Sequence, residues 1–262
     1  CQTSTADMME YEFTWLTLSL LVVSGIFAGF INTLAGGGSL LTLPALMLLG
    51  MPADIANATN RVGVMMQSLE GVRGFDRHGM LAKNALLGIL PPLVLGSLAG
   101  SLVASWLPPA VLEPVLLATL MAMAVIIVLR PAMVAPPPGT EPLAIRQARG
   151  GTLWLFAAGL YGGFIQAGVG FVLIAALAGV LRYDLVRANA LKMAATGIVT
   201  LIALVVFVLR DQVLWLPGLI LGASSIIGVQ LSVRLAISVP QTVLRWLLLA
   251  IVVLVCVAAW LR

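Results

Sequence analysis

The stretch Leu34-Ala35-Gly36-Gly37-Gly38-Ser39-Leu40, followed after a short apolar run by Ala56-Asn57-Ala58-Thr59-Asn60-Arg61, decides the fold. The pattern returns 132 positions later, where Ala167, Gly168 and Gly170 stand for Ala35, Gly36 and Gly38. At the same offset Ala188, Asn189 and Ala190 stand for Ala56, Asn57 and Ala58. Gly96 with Gly228, Pro108 with Pro240 and Arg130 with Arg262 keep that register without gaps. Leucine matches carry little weight in leucine-rich sequence. Matches at Gly, Pro, Asn and Arg at one fixed offset mark a duplication. A glycine cluster in apolar sequence, once per half, is the pattern of a transporter whose site lies at broken helices.

The surroundings are those of a membrane. Of 262 residues, 61% are hydrophobic and 9% charged, and the mean hydropathy is +1.12. Soluble domains carry about 25% charged residues. The apolar runs lack two-residue alternation, so they read as helices, and the bilayer core admits only helices or closed barrels. The expected fold is all-α and polytopic: two inverted-topology repeats of about five segments, with short broken or re-entrant helices at Gly36–Gly38 and Gly168–Gly170. The segments are 13–34, 37–50, 54–75, 84–106 and 110–129, then 152–167, 169–182, 185–209, 213–236 and 241–261. Repeat one covers 13–130, a linker 131–150 with Pro136-Pro137-Pro138-Gly139 follows, and repeat two covers 151–262. The second segment of each half is short: about 14 helical residues reach about 21 Å, against a core of about 30 Å.

Lys and Arg set the orientation. With the N-terminus outside, Arg73, Arg77, Lys83, Arg130, Arg146, Arg149, Arg182, Arg187 and Arg234 fall inside, and Arg210 and Arg262 outside. Both termini are then outside and the linker is cytoplasmic. An odd number of spans per half makes the halves oppositely oriented. The first apolar run is not read as a removable signal, and residues before Met8 are set aside from the fold.

Composition also removes function classes. The net charge of +4 is scattered between apolar runs, which is not a nucleic-acid footprint. Cys1 and Cys256 lie at opposite ends, and His78 reads as a solvated loop residue without the company a metal site needs. No carboxylate pair, Cys/His cluster or nucleophile–base motif suggests an enzyme or a cofactor.

What remains is a candidate anion site. Gly36, Gly37 and Gly38 permit close backbone approach, and a helix starting there offers free N–H groups and a positive dipole end. Ser39 adds a hydroxyl. Gln166, Gly168 and Gly170 form the second copy. On the third segments lie Asn57, Thr59, Asn60 and Arg61, and in the second half Asn189 and Lys192. Arg61 sits about 10 Å of helical rise into its segment, where a charge is costly and faces a cavity or partner. The two cations are expected to approach a common centre from opposite sides; the competing reading is that both snorkel to the interface. Glu70 has two readings, a salt bridge to Arg73 at helical spacing or a proton-coupling carboxylate. Asp54 and Asp184 fit helix N-caps. Gly96, Gly100, Gly222 and Gly228 read as close-packing positions, and the six tryptophans as interfacial anchors.

Several runs together resemble the sulfite exporter TauE/SafE family. They are Gly29-Phe30-Ile31-Asn32-Thr33-Leu34-Ala35-Gly36-Gly37-Gly38-Ser39-Leu40-Leu41-Thr42-Leu43-Pro44, Gly50-Met51-Pro52 and Ala56 to Asn60. Gly162-Gly163 through Ala188-Asn189-Ala190 is similar to the family's weaker second copy, and Pro217 to Gly222 with Gly228 to Arg234 to its glycine-rich later helix. The resemblance implies a bacterial inner-membrane permease for sulfur-containing anions such as sulfite or sulfonates, often exporting. Two departures stand out: Leu191-Lys192 where the family commonly has Thr-Ser, and Ala176 in place of a proline. The expected function is secondary transport of a small sulfur-containing anion by alternating access. The alternatives are the same fold carrying another small anion, such as a carboxylate, or a membrane scaffold without transport.

Overall fold

The protein's structure, a computed structural model, describes residues 15–34, 36–129 and 141–238. The expected last segment, the linker prolines, both cysteines, Trp246 and Trp260 lie outside the described residues. The described elements are α1 (Trp15–Leu34), α2 (Ser39–Leu48), α3 (Ala53–Arg77), α4 (Lys83–Trp106), α5 (Pro109–Leu129), α6 (Gly151–Phe164), α7 (Val169–Ile174) continuing into a π-helical turn (Ala175–Val180), α8 (Leu185–Leu209) and α9 (Trp215–Ser238). The fold is all-helical, as the composition requires.

Four of these, α1, α4, α8 and α9, are long and apolar enough to cross a membrane. Their outward side chains are those a lipid accepts: Leu16, Leu87, Leu95, Val103, Val205 and Leu216 are all exposed. The described tryptophans Trp15, Trp106, Trp154 and Trp215 are exposed near helix ends, where an aromatic belt belongs. Helix α3 is as long as α8 but carries Asn57, Thr59, Asn60, Arg61 and Gln67, all buried. It faces protein rather than lipid, so its polarity does not tell against crossing the bilayer.

Two pairs of helices recur at one fixed offset. Ala53–Arg77 maps onto Leu185–Leu209, and Lys83–Trp106 onto Trp215–Ser238, at the same offset of 132. The first helices differ. Gly29 meets Ser225 of α9 as Gly159 meets Leu93 of α4, and α1 ends at Leu34 where α6 ends at Phe164, so there the offset is 130. The continuous sequence register is corrected by two residues before the breaks. The second copy recovers them after Phe164: α7 and its π-helical turn together are longer than α2.

Contacts cross over between the halves. Helix α1 lies along α9 and α6 along α4, while α3 packs on α9 and α4 on α8. The molecule therefore consists of two interwoven bundles, one of α1, α2, α3 and α9, the other of α6, α7, α8 and α4. Each borrows its fourth helix from the other half. Glycines make the borrowed contacts. A Cβ on Gly228 would lie 1.9 Å from the Ile26 carbonyl oxygen, and one on Gly100 2.0 Å from that of Leu160. Gly96 and Gly222 are equally crowded, against Phe156 and Met66. This is the close-packing role expected for the fourth-segment glycines.

Within the first bundle the chain doubles back. A Cβ on Gly38 would meet Ala28 and Asn32 of α1, and Leu43 and Leu46 of α2 share a buried cluster with Leu21. So α2 returns along α1 as a hairpin. The bundles meet chiefly where α3 crosses α8. Arg61 lies by Phe207, Ser68 by Gly197 and Gly71 by Met193. Rising numbers on α3 meet falling numbers on α8, so these equivalent helices pack antiparallel.

Two expected caps separate. Asp184 accepts hydrogen bonds from the Val186 and Arg187 amides, as an N-cap should. Asp54 does not cap: Pro52 occupies that position and α3 begins at Ala53, which puts Asp54 inside the first turn. The aligned counterpart of Asp184 is Pro52, a residue suited to a helix start but without a capping side chain.

Candidate functional site

The breaks of the two bundles touch. A Cβ built on Gly36 would sit 2.4 Å from the Gly170 Cα, and one built on Gly170 2.2 Å from the Gly36 Cα. Only two glycines let the backbones approach this closely. Gly36 and Gly168 also hold positive φ angles, 93° and 74°. Gly37 lies against the Phe171 ring. Tyr161 closes the second break by donating to the Ala167 carbonyl at 2.5 Å. Gly36, Gly37, Gly38, Ser39, Gly168 and Gly170 are all buried.

The polar candidates fall into separate groups. Ser39 and Asn60 join the start of α2 to α3: Asn60 Nδ2 donates to Ser39 Oγ at 3.0 Å, and Thr42 donates to Asn60 Oδ1 at 2.5 Å. Thr59 faces elsewhere, accepting from the Leu214 amide ahead of α9. Asn57, Arg61 and Gln166 gather at the C-terminal end of α6. Arg61 Nη1 donates to Gly162 O and Gln166 Oε1, both at 2.7 Å, and Nη2 to Gly163 O at 2.8 Å. Asn57 Nδ2 adds a bond to Phe164 O. Phe207 stacks on the guanidinium, its ring centre 5.0 Å from Cζ.

The mirror arrangement sits at the end of α1. Lys192 Nζ donates to Asn32 O at 2.7 Å, Thr33 O at 2.8 Å and Asn189 Oδ1 at 2.9 Å. All three of its N–H donors are thereby engaged. Asn32 and Thr33 correspond to Gly162 and Gly163 in the register of the first helices. Each cation therefore caps the broken helix of the opposite bundle. The last carbonyls of a helix lack intrahelical partners and carry about half a negative charge. A buried cation with several hydrogen bonds to them is the arrangement that offsets its lost hydration.

This geometry corrects the expected convergence. Both cations are fully buried, so neither snorkels. Each lies about a third of the way along its own helix, and the helices run antiparallel. About ten residues of helix, roughly 15 Å of rise, separate their levels. The two flank the centre instead of meeting at it. The reason is the pull of the carbonyl ends, which belong to the backbone.

Glu70 is corrected too. It is half-buried on the α3–α9 seam and accepts a hydrogen bond from Gln230 Nε2 at 3.0 Å. Among the described residues the ion pairs are Lys83–Asp76 and Arg187–Asp184, so Glu70 and Arg73 are not paired. The carboxylate turns to α9, while Arg73 is exposed. His78 is exposed just past α3, with Nδ1 2.8 Å from Gly74 O.

Sequence reasoning missed Asn32, Gln67, Ser68, Thr200 and Phe207. Asn32 Nδ2 donates to Gln67 Oε1 at 2.9 Å. Ser68, Gln67 and Thr200 are buried at the α3–α8 crossing, between the levels of the cations. Ser68 Oγ, Arg61 Nε, Asn57 Oδ1 and Asn189 Nδ2 are buried without a hydrogen-bond partner. The legible signal was a polar residue inside an apolar run, which Asn32, Gln67 and Ser68 each provide.

Lipid-length helices around a buried polar seam, with broken helices meeting inside it, define a polytopic membrane transporter. The chain belongs to the sulfite exporter TauE/SafE family, whose model matches residues 21–259. It is 29% identical over 230 residues to a probable membrane transporter protein of Haemophilus influenzae, covering 87% of this chain and 88% of that one. It is 27% identical over 233 residues to the probable membrane transporter protein YfcA of Escherichia coli K12, covering 88% and 84%. A probable membrane transporter protein of Sinorhizobium, ORF9, is 27% identical over 237 residues, covering 89% and 88%. No solved structure matches the chain.

Proposed function

We propose that the protein is a secondary transporter of a small sulfur-containing anion, sulfite or an organosulfonate, working by alternating access at the seam between its bundles. One observation carries the anionic preference. The buried polar and charged residues include Arg61 and Lys192 and, among the described residues, no Asp or Glu. Two helix C-termini offset about half a charge each, which leaves roughly one positive charge in the seam. An entering anion is stabilised there and a cation is opposed. The family's description supplies the sulfur chemistry.

The antiparallel packing of α3 on α8 supports an inverted pair of repeats. The basic residues support an orientation. Arg73, Arg77, Lys83, Arg146, Arg149, Arg182, Arg187 and Arg234 stand at the ends of α3 and α9 and the starts of α4, α6 and α8. Their position at matching helix ends supports one basic face, the cytoplasmic one in this reading.

Purified protein in liposomes is expected to move sulfite or a short sulfonate, and Arg61→Ala to lower that flux at least tenfold. Flux of carboxylates alone would replace the sulfur reading with another anion, and no flux of any anion would remove the transport reading. Glu70 is the candidate coupling carboxylate. If it carries the proton, Glu70→Gln abolishes the response of flux to an imposed pH gradient while leaving exchange at equal pH intact. An unchanged response assigns coupling elsewhere.

A further inference from the structure

We infer that Arg61 and Lys192 are two gate latches, each holding closed the side of the membrane nearer to it. The inference rests on the alternating-access reading but not on the identity of the substrate. Both cations bridge the bundles. Arg61 belongs to the bundle of α3 and binds the end of α6, whereas Lys192 belongs to the bundle of α8 and binds the end of α1. Around the crossing of α3 and α8 they stand on opposite sides. Arg61 is level with Phe207, near the face where α8 ends and α3 starts. Lys192 neighbours Met193, which packs on Gly71 towards the basic face.

Separating the bundles on one face must break the bonds on that face and can spare those on the other. The exchange is reciprocal because the duplication places equivalent carbonyls, 32–33 and 162–163, opposite a cation from the other bundle. Each latch makes three hydrogen bonds, but they differ in the donors left over. Lys192 has every donor in use, while Arg61 keeps Nε unpaired. The Arg61 side is therefore the one with a donor already free to receive an anion.

Substituted cysteines read the two sides separately. Ala203 is buried with Ala58 and Phe207 on the Arg61 side, and Met193 is buried on the Lys192 side. With Cys1→Ser and Cys256→Ser as background, Ala203→Cys and Met193→Cys are labelled with a membrane-impermeant maleimide in vesicles of either orientation. Arg61→Met is expected to raise labelling at position 203 at least tenfold and leave position 193 unchanged; Lys192→Met should do the reverse. Tenfold corresponds to the loss of about one charged hydrogen bond and is the least that these variants, which remove three each, should show. Where a methionine variant does not fold, Gln166→Leu and Asn189→Leu weaken the same latches by one bond each and carry the same expectation. Labelling that rises equally at both positions, or at neither, overturns the inference. Labelling needs no substrate, so a wrong anion assignment would show in the flux experiment and leave this one intact.

Discussion

Alanine at Gly170 or Gly36 is expected to unseat the contact between the bundles. The added methyl group at Gly170 would lie 2.2 Å from the Gly36 Cα and 2.7 Å from its carbonyl oxygen. Both are backbone atoms, which no rotamer change can move aside. Overpacking costs about 1–3 kcal/mol. Gly36→Ala adds the strain of a side chain at a φ of 93°, about 1–2 kcal/mol more. Gly50 separates the two terms. Its φ is 85°, yet a Cβ there meets nothing within 4 Å, so Gly50→Ala bears strain alone. Thermal unfolding in detergent should rank the loss as Gly36→Ala first. Flux should fall at least tenfold in Gly36→Ala and Gly170→Ala and persist in Gly50→Ala. Wild-type stability and flux in Gly170→Ala would mean that the breaks do not need to touch.

The second large effect belongs to Lys192. Lys192→Met keeps the shape of the side chain and removes three hydrogen bonds, leaving the Asn32 and Thr33 carbonyls and the Asn189 amide oxygen without that donor. Leaving a buried acceptor without its donor costs about 1–3 kcal/mol, and three are left here, so the loss is several kcal/mol. For a chain of this size that lowers the melting temperature by roughly 10 °C. Arg187 is the comparison: half-exposed and 3.6 Å from Asp184, it contributes at most about 1 kcal/mol. If Lys192→Met melts like Arg187→Met, the lysine does not anchor the end of α1.

These positions show what was legible in the sequence. Helix α3 and its copy α8 were plain, because apolar runs, a repeated Ala-Asn-Ala and flanking turn residues fix their limits. The crowded glycines of α4 and α9 were plain as well, since small residues in spanning helices have few other uses. The two-residue slip between α1 and α6 was hidden, because the glycine clusters keep the longer offset and the π-helical turn restores it. The fate of Arg61 and Lys192 was half legible. Depth and charge announced that each needs a partner. The partners, however, are carbonyl oxygens at helix ends, and a backbone carbonyl leaves no mark in the letter that carries it. Glu70 shows the limit of local spacing: Arg73 is three residues away, but Gln230, far along the chain, is the neighbour that α9 presents.

The exchange of fourth helices bears on how the protein is made. The glycines of α1 close on α9, about 200 residues later in the chain. At translation rates of about 5–20 residues per second, the first helix waits roughly 10–40 s for its partner. Through that interval its glycine stripe and uncapped carbonyls stand open in the bilayer. The weave of the bundles thus sets an interval in which the nascent first half has not yet met the helix that completes it.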